Sequence, residues 1–190
     1  MKPIATTRSV TGIPTGRLAV WWVIASEIVI FGGLLGSYIM HRLGHPEEYS
    51  AMAANTNVVF GTINTLILLS SSLSAVIAHN AAEHGNGARA AKFLWLTILG
   101  GLGFLIVKSV EWTTEISHGY VLPLGGFWGV YYTAAGIHGL HVIAGMVLMG
   151  WVATDAKKNA ELQRVELVGL YWHFVDIVWI FLFPLLYIAK

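Results

Sequence analysis

The 190-residue sequence predicts an all-α membrane protein, a bundle of five transmembrane helices with its N-terminus in the cytoplasm and its C-terminus on the periplasmic side. Three observations lead there. Only 11% of residues are charged, against about a quarter in ordinary soluble domains, and the mean hydropathy is +0.67. Five apolar runs are each long enough to cross roughly 30 Å of hydrocarbon, which takes about 20 residues. The lysines and arginines also fall overwhelmingly on one side of those runs. Helix is the structure to expect, because lipid cannot satisfy free backbone groups and five spans cannot close a barrel.

The first run, 18–40, is too long for a secretory signal and lacks a small-residue cleavage site after it, so it reads as a retained span. Gly32 and Gly36 within it form a G-x-x-x-G step suited to close helix contact. The second run, 57–79, carries Ser70, Ser71, Ser72 and Ser74, whose hydroxyls can bond back to helix carbonyls or across to a neighbour. The third, 92–114, is lined by Gly100 and Gly103; the fourth, 127–152, by Gly136, Gly139 and Gly145. The fifth is 169–189. No linker separates two domains, so 1–190 reads as a single membrane domain. The five prolines, Pro3, Pro14, Pro46, Pro123 and Pro184, lie near helix ends or in connections.

Orientation follows from the positive charges. Lys2, Arg8, Arg17, Arg89, Lys92, Lys157, Lys158 and Arg164 share one side; Arg42 and Lys190 occupy the other, and Lys108 lies inside the third span. The positive-inside rule puts the larger group in the cytoplasm. A net charge of +1 with no clustered basic face excludes nucleic acid as a partner. The absence of cysteine excludes disulfides, thiolate metal sites, iron–sulfur clusters and covalently attached haem.

Ionisable groups within a bilayer are costly, so each needs a partner or a purpose. Glu27 lies about ten residues into the first span, near the midplane. It reads either as a protonatable or lipid-contacting group, or as a carboxylic acid bonded into the bundle to fix helix register. His138 and His141, three residues apart, share a helix face; they can ligate a metal or haem, or bridge to a neighbouring helix through a group such as Glu27. His173 and Asp176 form a candidate imidazole–carboxylate couple in the fifth span, with Tyr171, Trp172 and Trp179 anchoring an interface or packing on a partner. Lys108 and Glu111, near the outer end of the third span, are expected to pair while the lysine snorkels outward. Glu115 and His118 match one copy of a di-iron Glu-x-x-His element, but such sites need two copies and two further carboxylates.

Five segments taken together resemble subunit III of the haem-copper respiratory oxidases, in its short five-helix form. They are Ala25-Ser26-Glu27-Ile28 with Phe31, Ile63 to Ser70, Ser109-Val110-Glu111-Trp112, Phe127 to Val142, and Tyr171 to Trp179. The resemblance runs in register from Trp21 to Tyr187, and the last two segments are the most specific. It implies a non-catalytic bundle in a bacterial inner membrane, docked on catalytic subunit I. Subunit II and a small subunit IV are further expected partners. This chain would carry no cofactor of its own; haem and copper would reside in the partners, which pass electrons from cytochrome c or quinol to oxygen. The family role it implies is to stabilise subunit I, hold phospholipid and support proton uptake, with Glu27, Glu111, His138, His141, Trp172, His173 and Asp176 as the polar positions concerned. Long forms have seven helices, the first two forming one arm of a lipid-filled cleft, and this chain aligns with the last five. The segment before the fourth span, Pro123 to Phe127, lacks the family's usual acidic residue.

Elimination points the same way. Subunit II needs two cysteines for its copper centre, and subunit I needs many His ligands on about twelve spans, where this chain has eight His on five. Three alternatives differ in what they require. An accessory subunit of a nitric oxide reductase shares the short form. A small proton-coupled transporter would show inverted repeats and Pro-broken helices at the midplane. A membrane metalloenzyme would need His138, His141 and His173 to converge across several residues of depth.

Overall fold

The computed structural model describes residues 15–121 and 126–189. Lys2, Arg8 and Lys190 of the charge count, Pro3 and Pro14, and residues 123–125 before the fourth span lie outside them. Six α-helices are present among the described residues: α1 (Thr15–Gly44), α2 (Pro46–Ala53), α3 (Val58–Glu83), α4 (Gly87–Ser117), α5 (Gly126–Lys157) and α6 (Gln163–Phe183). All but α2 are long and apolar enough to cross a membrane. Helices α1, α4 and α5 run past both ends of the segments expected from hydropathy, α4 starting at Gly87 rather than Lys92. Their backbone hydrogen bonds continue into polar surroundings, where hydropathy no longer marks them.

The short α2 was not expected. It sits on the α1–α3 connection with Pro46 in its first turn, where a missing N–H costs nothing, and with Glu47 and Glu48 at its positive end. At the other extreme, Pro184 closes regular α6 and the chain continues as a π-helical turn, Pro184–Ile188. Its ring cannot supply the next N–H of the α pattern, and Ala189 N–H instead reaches back to the Pro184 carbonyl at 2.8 Å.

The spans alternate in direction, and contacts at both ends fix this. Arg17 of α1 meets Glu166 of α6 at 2.7 Å at one end. At the other, the Tyr38 hydroxyl of α1 donates to the Leu185 carbonyl at 2.9 Å. The tightest pair is α3 with α4. The Ser74 and Thr97 hydroxyls lie 2.6 Å apart across it, and a Cβ on Gly100 would fall 2.5 Å from that of Ser71. Trp172 locks α6 into this core. Its ring is fully buried, its indole N–H donates to Ser71 Oγ at 3.0 Å, and Gly101 and Gly145 leave its slot open, since a Cβ there would meet the ring at 2.8 and 2.9 Å.

By contrast, α1 packs through one narrow seam. Its buried residues are Ile24, Phe31 and Tyr38, spaced by seven, the spacing of a straight helix–helix seam. Gly32 and Gly36 do not form the internal contact expected of them: a Cβ on either would meet nothing within 4 Å. They lie on the open side of α1, because the seam is set by the larger residues at 24, 31 and 38. Gly103, Gly136 and Gly139 make only ordinary contacts, so small size there is not required by the packing.

Candidate functional site: polar groups inside the bundle

The intramembrane polar residues resolve into four separate settings. In the first, Glu27 Oε2 of α1 lies 2.9 Å from His141 Nε2 of α5. His141 Nδ1 is 2.8 Å from the Ile137 carbonyl oxygen, which can only accept, so Nδ1 carries its hydrogen and Nε2 is left to face the carboxylate. Phe31 covers the imidazole edge-on at 5.4 Å. Of the two histidines, it is this one that bridges to Glu27.

His138 does something else. One turn away on α5, it is fully buried between the rings of Phe104 at 5.4 Å and Trp179 at 5.2 Å. Neither ring nitrogen has a hydrogen-bond partner among the described residues. Sixty degrees of helix rotation are enough to send the neighbouring histidines into different surroundings. Trp179 in turn donates its indole N–H to Thr65 Oγ1 of α3 at 3.0 Å.

The expected His173–Asp176 couple is replaced by a bond between helices. His173 Nδ1 lies 2.6 Å from Ser72 Oγ of α3. Asp176 is 4% exposed, and its carboxyl also sits beside the Ser72 hydroxyl. Packing α6 against α3 turns the imidazole toward the serine and away from its i+3 neighbour. His141 and His173 thus take different partners and His138 lies between aromatic rings, so the three do not converge. No group of three or more His, Asp or Glu side chains among the described residues is placed to hold a metal ion.

The fourth setting was only half legible. Lys108 does pair with Glu111, Nζ to Oε2 at 3.0 Å, but it does not snorkel: it is 5% exposed, and Glu111 is fully buried. The ammonium also donates to the Tyr131 hydroxyl at 2.8 Å and to the Tyr187 hydroxyl. Tyr131 OH is 3.0 Å from both Glu111 Oε1 and Glu115 Oε1. The ammonium sits 4.5 and 5.1 Å from the Tyr131 and Tyr187 ring centroids, and farther from Trp112 and Trp179, so ring faces replace part of its lost hydration. Enclosure by α5 and the π-helical turn explains the inward lysine. Glu115 belongs to this cluster, while His118 is exposed at the end of α4, which separates the two halves of the Glu-x-x-His match.

With this geometry in hand, comparison with known proteins is direct. The family described as Cytochrome c oxidase subunit III matches residues 6–190. The chain belongs to that family. It is 33% identical over 175 residues to a protein of Mycobacterium tuberculosis named "Probable cytochrome c oxidase subunit 3", covering 90% of this chain and 85% of that one. It is 35% identical over 170 residues to "Cytochrome c oxidase subunit 3" of Thermostichus vulcanus, covering 87% and 83%. A longer protein of Aeropyrum pernix, "Heme-copper oxidase subunit I+III", is 30% identical over 183 residues, covering 91% of this chain and 22% of that protein. The protein is therefore a subunit III of a haem-copper oxidase, part of an oxidoreductase complex. These matches favour the oxidase over the nitric oxide reductase and transporter alternatives.

Proposed function

We propose that this subunit docks directly on subunit I of a bacterial oxidase, stabilises it, and supports its proton uptake, with subunit II and a small subunit IV completing the complex. The observation that carries the docking is the Aeropyrum pernix relative, whose name places subunits I and III in one polypeptide. The open side of α1, with Gly32, Gly33 and Gly36 uncovered, supports a further helix lying against this chain. The α1 start and the α5–α6 turn face the cytoplasm in this reading. Arg17, Arg89, Lys92, Lys157, Lys158 and Arg164 gather at that end of the bundle and Arg42 at the other. The electron donor to the complex is read as cytochrome c or quinol.

Bound phospholipid fits a trough at the same end. A cavity of about 410 Å³ lined by Ala19, Val20, Val23, Leu148, Leu167 and Tyr171 adjoins one of about 270 Å³ that reaches Arg164. An acyl chain suits the apolar walls, and the Arg164 guanidinium, paired through one N–H with Asp155 at 3.0 Å, keeps further N–H groups for a phosphate. Glu27 lies beyond the Tyr171 end of the trough, in contact with His141.

The test is affinity purification of the tagged chain in mild detergent, followed by a reduced-minus-oxidised visible spectrum. Haem bands arriving with large partner subunits, and lost when harsher detergent strips this chain, are the expected result. A chain that purifies alone and colourless would reject the docking. Within an assembled complex, Glu27→Ala is expected to leave initial oxygen consumption intact and to shorten its duration under turnover. Immediate loss of all activity would contradict the supporting role.

A further inference from the structure

Lys108, Glu111 and Glu115 follow one another at i, i+3 and i+7 on α4, a single stripe facing Tyr131 and Tyr187. Each of the three is 5% exposed or less. The stripe therefore sets two carboxyl groups against one amine inside a membrane-spanning helix, where an uncompensated charge costs several kcal/mol in all estimates.

The hydrogens have been counted out. An ammonium has three N–H donors, and Lys108 commits them to Glu111, Tyr131 and Tyr187. Tyr131 has one hydrogen and two carboxylate oxygens at 3.0 Å, Glu111 Oε1 and Glu115 Oε1, while the single Tyr187 hydrogen serves the Tyr131 oxygen at 3.1 Å or Glu111, not Glu115. Glu115 Oε2 is buried and has no partner among the described residues. A doubly ionised pair would leave Glu115 with at most one donor, the Tyr131 hydroxyl, for about four lone-pair sites.

Among the described residues, no second cation reaches the cluster from the elements packed around it. On α1, Arg42 is held by the Tyr38 hydroxyl and the Ala189 carbonyl. On α2, Glu47 and Glu48 are exposed and Tyr49 is buried. Helix α3 presents the neutral Asn64; α5 presents Tyr132, which donates to the Tyr120 carbonyl, and His138, already enclosed by aromatic rings. On α6, Trp179 faces the ammonium, and Asp176 and His173 lie deeper along the helix, beside Ser72.

We propose that the cluster is a proton-holding site: it keeps one proton on Glu115 beyond those on Lys108, and exchanges it with the aqueous phase at the α4–α5 end of the bundle. Placed on Glu115 Oε1, that proton points at the Tyr131 hydroxyl oxygen and frees the Tyr131 hydrogen for Glu111. The cluster then holds one positive and one negative charge. The exposed end of α4 at His118, one turn beyond Glu115, is the route to water.

The test is infrared spectroscopy of the purified complex in lipid nanodiscs, in H2O and D2O, for the wild type and for Glu115→Gln, Glu115→Asp and Glu111→Gln, with assembly checked by size-exclusion chromatography. The wild type should show a neutral carboxyl band that shifts in D2O. Glu115→Gln should remove it and Glu115→Asp should restore one. Glu111→Gln should also remove it, because with a single carboxyl left the charge is balanced without the extra proton. A band that survives Glu115→Gln, survives Glu111→Gln, or fails to shift in D2O would overturn the proposal. Should Glu111→Gln not assemble, the two Glu115 variants still decide it.

Discussion

Buried charge makes the polar residues here depend on partners inside the bundle. Lys108→Met removes the cation that, among the described residues, balances two buried carboxyl groups, and breaking such a pair costs about 3–5 kcal/mol; the expected outcome is loss of assembled complex, read from its yield and its thermal unfolding. Glu27 and His141 are more exposed, with 16% and 19% of their side chains open, and alanine at either should cost only about 1–2 kcal/mol. The double variant should then cost less than the two singles together, since the contact can be lost only once; strict additivity in thermal unfolding would mean the 2.9 Å approach is not an interaction. The Glu27 contact was legible because an acid near the midplane demands a partner and His141 was the nearest type of group able to supply one. Tyr131 and Tyr187 were not legible. They stand 23 and 79 residues from Lys108, and nothing in a local pattern shows that a tyrosine hydroxyl will turn inward toward an ammonium.

Helices were the most readable level, since hydropathy and the need to satisfy every backbone group leave little choice inside lipid. Helix faces were less so. A glycine in an apolar helix signals either a close contact within the chain or a surface left for something else, and the sequence does not distinguish Gly145, which faces Trp172, from Gly36, whose Cβ position meets no atom of the described residues within 4 Å. The two should respond differently to bulk. Gly145→Val and Gly101→Val each push on the Trp172 ring and should destabilise the chain by about 1–3 kcal/mol, as overpacked cores do. Trp172→Phe should relieve part of that cost. Gly36→Val should leave the isolated chain unchanged in thermal unfolding and instead weaken its retention in the complex, measured by co-purification. A large loss of stability in the isolated chain would show that α1 packs more closely than its seam implies.

At the scale of the molecule, α3, α4, α5 and α6 form the joined core and α1 is fastened to it by its seam, the Glu27 contact and the Arg17 and Tyr38 bonds at its ends. Local opening follows packing, so hydrogen exchange on the detergent-solubilised chain should label α1 before α4 or α5, and assembly should slow it most. Equal protection of all five long helices in the free chain would contradict this. The amide of Gly87, which opens α4, is taken by the side-chain oxygen of Asn159 at 2.8 Å, and Asn159 adopts a left-handed backbone, φ 55°, to present it. That acceptor emerges from the ribosome 72 residues after the donor. During synthesis the α3–α4 hairpin therefore waits with its turn unfinished until α5 has crossed back. The clasp between the two turns can close only once both hairpins lie side by side.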